Sequence, residues 1–384
     1  MILSVVIISY NVKFFLEQCL SSLKKAMEGR LFSRDQCEVF IVDNESSDGS
    51  LDFLVPLFPE FHFIKNSKNT GFARANNQAL QCCTGEYILF LNPDTILAED
   101  TLDLCISFFQ TTPGCGALGI RMVDGSGEFL PESKRGFPDA LTSFYKMSGL
   151  SRLFPRSKTL AAYYSGHLSH RTTQAVDILS GAFMMVRKPV LDKTGGFDEQ
   201  FFMYAEDIDL SYRISKAGYR NYYFAETTII HFKGESTRKD AAYVKSFYGA
   251  MKLFIKKHFH SKNSSLRMLL LNSGMRLRQG LAYIQLLKAP KLKPDRPLPV
   301  FILGDQGRKE YLKNKLKAGN IPITENRKEA GQIIYCEGPG QTWKSIIFQI
   351  QENKEPARYK FSGNDTHAIV GSHFSHAQGN VYEI

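Results

Sequence analysis

Three carboxylates, Glu206, Asp207 and Asp209, crowd into the stretch GGFDEQFFMYAEDIDLSYRISKAG at residues 195–218. A carboxylate with a reference pKa of about 3.9 is ionised at neutral pH, so such a cluster is equipped to take a proton from a hydroxyl or to bind a cation. Leu210, Ile214 and Ala217 recur at helical spacing and Gly218 ends the run, which predicts a helix from about Glu206 to Lys216 with the acids in its first turn. The partial positive charge of a helix N-terminus favours ionised acids there. The same residues also read as a well-capped helix in which Asp209 and Arg213 form an i, i+4 ion pair. Phe197, Phe201, Phe202, Met203 and Tyr204 precede the acids, and that much apolar surface beside them points to a pocket wall rather than a solvated cap.

The elements that would position this cluster follow an alternating plan. Leu3 to Ser9 is a β-branched apolar run of the kind buried in a parallel sheet, followed by a helical segment to about Met27. Strand signals return at Glu38 to Val42, Phe61 to Lys65 and Glu86 to Leu91, with helices between them. Alternation of this kind predicts a mostly parallel sheet with helices on both faces, which binds ligands beyond the carboxyl ends of its strands. The polar residues fall at those ends: Asp43 and Asn44 after the second strand, Arg74 in the glycine turn and helix NTGFARANNQAL, Asn92 and Asp94 after the fourth strand. Acid and base together at one edge suit a nucleoside diphosphate with a divalent cation. Cys115 to Val123 and Val176 to Arg187 are further strand candidates, separated by a connection from about Glu128 to Gln174 that could hold an acceptor or move as a lid. Tyr219 to Phe224 and Thr227 to Phe232 read as two more short strands, the second carrying His231.

With 384 residues the chain exceeds the usual single domain, and its 43% hydrophobic and 22% charged residues are ordinary for a globular protein. No apolar run is long enough to cross a bilayer, and Met1 leads straight into a strand-like run with no basic n-region, so neither a transmembrane helix nor a signal peptide is expected. The seven cysteines contain no Cys-x-x-Cys pair, which fits reduced thiols in the cytoplasm rather than a disulfide framework or a zinc site. The net charge of +10 is concentrated: residues 241–294 hold eleven lysines and arginines and no acid. The rest of the chain is nearly neutral, which argues against nucleic acid as a partner.

The segments SVVIISYN, VDNESSDGS, NTGFARANNQAL, LFLNPD, SGAFMMVRK, GGFDEQFFMYAEDIDLSYR and IIHFKGES, in this order, resemble the family-2 glycosyltransferases with the GT-A fold, particularly their bacterial rhamnosyltransferase-like branch. The resemblance implies an inverting transfer of one sugar from a nucleoside-diphosphate sugar, UDP- or dTDP-linked, to a glycan or polyprenyl-diphosphate-linked acceptor. It implies Asp207 as the base, with Glu206 positioning sugar hydroxyls and Asp209 left to helix structure. Ser9, Asn11, Asp43, Asn44, Gly71, Arg74, Asn77 and Asn92 would surround the nucleotide, while Asp94 and His231 would ligate Mg2+ or Mn2+. The first position of the family's Asp-x-Asp metal motif is Asn92 here, so metal binding leans on Asp94, His231 and the diphosphate. No Gln-x-x-Arg-Trp motif follows the acidic helix, which speaks against a processive synthase. A non-catalytic sugar-nucleotide or glycan-binding protein and a sugar nucleotidylyltransferase are the alternatives, the latter lacking its glycine-rich basic N-terminal loop.

This plan divides the chain into a catalytic domain at 1–240, a basic amphipathic segment and proline-rich linker at 241–296, and a small α/β Rossmann-like domain at 297–384. Phe247, Met251, Phe254 and Ile255 recur at helical spacing among Lys252, Lys256 and Lys257, and Leu266 to Leu287 is similarly amphipathic. Such a helix suits an anionic membrane surface, here the inner face of the cell membrane, with lysines over lipid phosphates. The alternative is that its apolar face packs on the catalytic domain.

Overall fold

The structure, a computed structural model, describes residues 1–137, 157, 159, 164–166, 168–235, 241–258, 279–280, 298–353, 358–372 and 379–384. The strands β1 (Leu3–Ser9), β2 (Cys37–Asp43), β3 (His62–Lys65) and β4 (Tyr87–Leu91) alternate with the helices α1 (Lys13–Ala26), α2 (Ser50–Leu57) and α3 (Phe72–Leu80). Then come β5 (Thr95–Ile96), α4 (Thr101–Thr111), β6 (Cys115–Val123), β7 (Gln174–Val176), β8 (Phe183–Arg187), α5 (Lys188–Thr194), α6 (Glu206–Lys216) and β9 (Arg220–His231). One sheet runs β3-β2-β1-β4-β8-β6-β9-β5, with β7 on β9. Its β3-β2-β1-β4 part is all parallel, and β8 enters antiparallel to both β4 and β6.

Every residue of β1 is buried, as its unbroken apolar run requires of a central strand. The parallel register pairs Ser9 with Asp43 and Ile7 with Leu91, so the carboxyl ends of β1, β2 and β4 open on one edge. Asn44 and Asn92 follow immediately.

Two strand expectations are corrected. Tyr219 to Phe224 and Thr227 to Phe232 are one strand, β9, because β6 pairs with both halves: Ile120 lies opposite Phe224 and Arg121 opposite Thr228. The residues between are a bulge in one ladder, and their polar sequence imitates a turn. Conversely, Val176 to Arg187 splits into β7 and β8, leaving residues 177–182 free to enter the site.

Helix α7 (Ala241–His258) turns its apolar face inward: Met251, Phe254 and Ile255 pack with Ile178, Phe201, Ala205 and Ile208. That face is therefore taken by the protein and is not available to lipid, contrary to the expected insertion. The Leu266 to Leu287 stretch lies outside the described residues apart from 279–280, as do the expected boundaries at 240 and 296. No helix among the described residues is long and apolar enough to cross a membrane.

A second sheet, β10 (Val300–Gly304), β11 (Gln332–Cys336), β12 (Arg358–Ser362), β13 (Ala368–Gly371) and β14 (Asn380–Glu383), carries α8 (Gln306–Ala318) and α9 (Trp343–Glu352). Its first three strands are parallel and its last two antiparallel. Tyr335, Trp343, Ile346, Tyr359 and Phe361 join the same buried cluster as Leu16, Leu20 and Ile230 of the first sheet's layer. Glu17 and Gln18 are buried on α1 because this module covers them: His367 donates its backbone N–H to Glu17 (2.9 Å), and Gln18 donates to Thr366 (2.6 Å).

Candidate active site

At the edge where β1 and β2 end, the loops are stitched to one another. Asn11, at φ 54°, accepts from the Ser47 N–H at 2.7 Å, and Asp43 accepts from the Ser46 N–H at 2.9 Å. The second oxygen of Asp43 and the Ser9 hydroxyl are buried without a hydrogen-bond partner among the described residues. Asn44 is a hub: its amide donates to Asn69 at 3.0 Å and to the Gly71 carbonyl at 3.3 Å, and its oxygen accepts from the Thr70 N–H at 3.0 Å.

Gly71, Arg74 and Asn77 contact the loop ahead of α6. A Cβ on Gly71, whose φ is +85°, would stand 2.5 Å from the Phe202 carbonyl, so only glycine fits. Asn77 bridges both backbone groups of Phe197, donating to its carbonyl at 2.7 Å and accepting from its N–H at 2.9 Å. Arg74 pairs with Glu199 at 3.0 Å on the exposed side. None of these three lines the adjoining cavity, a space of about 420 Å³ whose walls include Tyr10, Asn44, Asn92, His231, Glu206 and Asp207.

Asp94 and His231 are brought together by β5, which pairs antiparallel with β9 and sets Thr95 opposite His231. The His231 Nε2 lies 3.4 Å from the Asp94 carboxylate and 3.3 Å from the Asn92 amide; Asp94 and His231 are nearly closed to solvent and Asn92 is half-buried. The other ring nitrogen, Nδ1, is buried with no hydrogen-bond partner among the described residues. One acid and one imidazole side by side fit a divalent cation that draws its remaining ligands from a bound phosphate. Among the described residues no group of three or more His, Cys, Asp or Glu could hold an ion unaided.

Glu206 and Asp207 line the same cavity as His231. Helix α6 begins after Tyr204 and Ala205, both left-handed at φ 71° and φ 63°, which is a strained entry for residues bearing a Cβ. Asp207 is held by three donors: Arg135 at 2.5 Å and the Gly181 N–H at 3.1 Å on one oxygen, the Ile208 N–H at 2.8 Å on the other. Arg135 also donates to the Leu179 carbonyl at 2.6 Å. Burial, then the neighbouring Asp207 charge, pushes the Glu206 carboxyl up to about 8, so it carries a proton at neutral pH. Asp209 points the other way. Burial works to raise its carboxyl, but Lys257 at 2.7 Å, Arg213 at 2.7 Å and His258 at 2.6 Å outweigh that and hold it below the usual range. These partners tie α7 to α6.

Sequence reasoning missed Arg135, which lies at the start of a long connection with no periodicity. It also missed Lys257 and His258 as partners of Asp209, which are separated from it by 48 and 49 positions.

Residues 4–195 match the model of Glycosyl transferase family 2. An N-acetylglucosaminyl-diphospho-decaprenol L-rhamnosyltransferase of Mycobacterium tuberculosis is 29% identical over 252 residues, covering 63% of this chain and 79% of the relative. The rhamnosyltransferase WbbL of Escherichia coli (strain K12) is 32% identical over 178 residues, covering 44% of this chain and 63% of that protein. Among solved structures, the mannosyltransferase PcManGT from Pyrobaculum calidifontis, in complex with GDP-Man and Mn2+, superposes with a TM-score of 0.47 at 18% identity over 76% of each chain. By a family match that spans half its length, the chain belongs to glycosyl transferase family 2 and is a glycosyltransferase, similar in sequence to the rhamnosyltransferases named above.

Proposed function

We propose that this enzyme is an inverting, metal-dependent transferase that moves one sugar from a UDP- or dTDP-linked donor to a lipid-linked or cell-surface polysaccharide acceptor. The observation that carries the reading is the single cavity shared by Asp207, Glu206, Asn92 and His231. L-Rhamnose is the favoured sugar, because two relatives are named for transferring it, and the name of one specifies an acceptor on a decaprenyl diphosphate.

In this mechanism the acceptor hydroxyl gives its proton to Asp207 while its oxygen attacks the anomeric carbon. The bond from that carbon to the diphosphate breaks on the opposite face, so the configuration inverts. Arg135 and the Gly181 N–H hold one oxygen of the Asp207 carboxylate and the Ile208 N–H the other, so the incoming hydroxyl shares an oxygen that already accepts a hydrogen bond. Glu206, protonated, donates a hydrogen bond to a sugar oxygen instead of competing as a base. Asp43, Asn44, Ser9 and Asn11 frame the nucleotide end, the free Asp43 oxygen and the Ser9 hydroxyl being buried acceptors for a base or ribose. Asp94 and His231 would hold Mg2+ or Mn2+, which when bound would supply positive charge against the departing diphosphate. The eleven basic residues of 241–294 support peripheral attachment to an anionic membrane on its cytoplasmic side, where a lipid-linked acceptor would be presented.

The test is incubation with a panel of UDP- and dTDP-sugars, Mn2+ and a polyprenyl-diphosphate-linked N-acetylglucosamine, reading nucleoside diphosphate release and the anomeric configuration of the product by NMR. Release with dTDP-rhamnose and an inverted linkage is the expected result. No release with any donor would sink the reading and favour a non-catalytic binding protein.

A further inference from the structure

The turn that carries His231 is gripped from behind by the C-terminal module, far along the chain from the family-matched segment. Phe232 lies between Phe15 of α1, with ring centroids 5.0 Å apart, and Phe361 of β12, at 5.6 Å. Its backbone N–H donates to the Asp94 carbonyl at 3.0 Å, so the same residue fixes both candidate cation ligands. Lys233 and Gly234 then turn at φ 60° and φ 97° and line the cavity. Glu235 ends the turn, 4% exposed, with both carboxylate oxygens accepting from the Gly379 N–H at 2.7 and 2.9 Å. Gly379 leads into β14, and a Cβ there would meet the Phe15 ring at 2.7 Å and a Glu235 oxygen at 2.9 Å. The buried Lys360 amine donates to the Gly371 carbonyl at 3.1 Å and the Asn380 carbonyl at 3.2 Å, holding β13 and the start of β14 in place.

Among the described residues the module offers no open phosphate cradle at its first helix. The N-terminus of α8, where a Rossmann-like unit would cradle a phosphate, is filled by Asp305, which accepts from the N–H groups of Arg308 at 3.0 Å and Gly340 at 3.3 Å. Its strands also run in sequence order, β10 to β14, without the reversal that opens a ligand crevice in such sheets.

We infer that Glu235 is a positioning residue through which the C-terminal sheet holds the Asp94 and His231 pair in register for a divalent cation. The inference rests on the reading of those two residues as cation ligands. A buried carboxylate clasped by a backbone N–H across 144 positions of sequence sets the turn by a contact that neither part can supply alone.

The test uses the full-length protein and three substitutions, with Mn2+ affinity measured by electron paramagnetic resonance in saturating dTDP or UDP, and nucleotide affinity measured separately without metal. Glu235→Ala is expected to weaken Mn2+ binding about 10- to 100-fold, as loss of a supporting contact behind a ligand does, while metal-free nucleotide affinity stays within about twofold. Glu235→Gln, which keeps an acceptor for the Gly379 N–H, should recover most of that loss. Gly379→Ala, which crowds Glu235 from the distant strand, should weaken Mn2+ in the same direction, and it decides the matter if Glu235→Ala does not fold. Unchanged Mn2+ affinity in the folded variants overturns the inference, as does an equal loss of metal-free nucleotide affinity. If the unsubstituted protein binds the nucleotides but Mn2+ adds nothing, the cation reading itself fails and the inference falls with it.

Discussion

The loops at the ends of β1 and β2 and the reacting side of the cavity are built on different plans. At the nucleotide end the polar side chains are mostly spent on one another: Asn44 bonds Asn69, Thr70 and Gly71, and Asn11 and Asp43 bond Ser47 and Ser46. At the reacting end, His231 Nδ1 and a Glu206 oxygen are buried with no partner among the described residues, and the backbone is left-handed at Tyr204, Ala205 and Lys233. A satisfied network is rigid before a ligand arrives, whereas unpaired buried groups and strained residues cost free energy that only a ligand or the surrounding packing can offset. Both ends keep buried unpartnered groups among the described residues, Ser9 and Asp43 at the first and Glu206 and His231 at the second, and they differ in that the first is cross-bonded loop to loop while the second hangs on the left-handed entry to α6.

Four changes would break or sharpen that contrast, and they run from the largest effect down. Asp209→Ala strips the anchor that fixes the reacting end, leaving Arg213, Lys257 and His258 without their shared carboxylate. It should cost about 3–5 kcal/mol of stability, read by denaturant unfolding, and a loss near zero would show that α7 is held by packing alone. Asp207→Asn should lower turnover about a hundredfold or more while nucleotide affinity stays nearly unchanged; near-normal turnover would remove Asp207 from the role of base. Asn44→Ala should unfold more easily by about 1–3 kcal/mol, because it leaves loop donors and acceptors unpaired, and a neutral result would mean that the nucleotide end is less self-supporting than its bonding implies.

The smallest change concerns pH. Glu206 rises from 4.5 to about 8 on folding, so between those values the folded chain keeps a proton that the unfolded chain has released. Its contribution to stability is therefore complete below about pH 4.5 and lost as pH rises through about 8. Glu206→Gln should flatten that part of the profile relative to the unsubstituted protein. Glu235, also pushed up by burial, to about 7, contributes in an overlapping window, so the difference between the two profiles is the quantity to read.

What the sequence disclosed, and what it hid, divides by range. Helix α6 begins at Glu206 and ends at Lys216 as its periodicity predicts, and the Asp209–Arg213 pair follows from i, i+4 spacing. β1, β6, β10, β11 and α9 are likewise readable from apolar runs and turn residues nearby. Arg135 was not legible, because its meaning comes from Asp207, 72 positions away. What covers the inward face of α7 was not legible for the same reason: an amphipathic helix declares that it has an apolar side, and only tertiary contact decides between the two coverings that its sequence allows. β12 to β14 escaped notice because short strands such as RYKFS and NVYE carry charges and polar residues in a run too brief to show a period.

Ala205 is an alanine in a conformation that glycine adopts at no steric cost. Substituting glycine there would remove the Cβ clash, yet it would also widen the range of angles open to the joint between the aromatic loop and α6. A methyl group thus acts as a latch on the helix that carries Asp207, trading a little folding free energy for a narrower spread of carboxylate orientations.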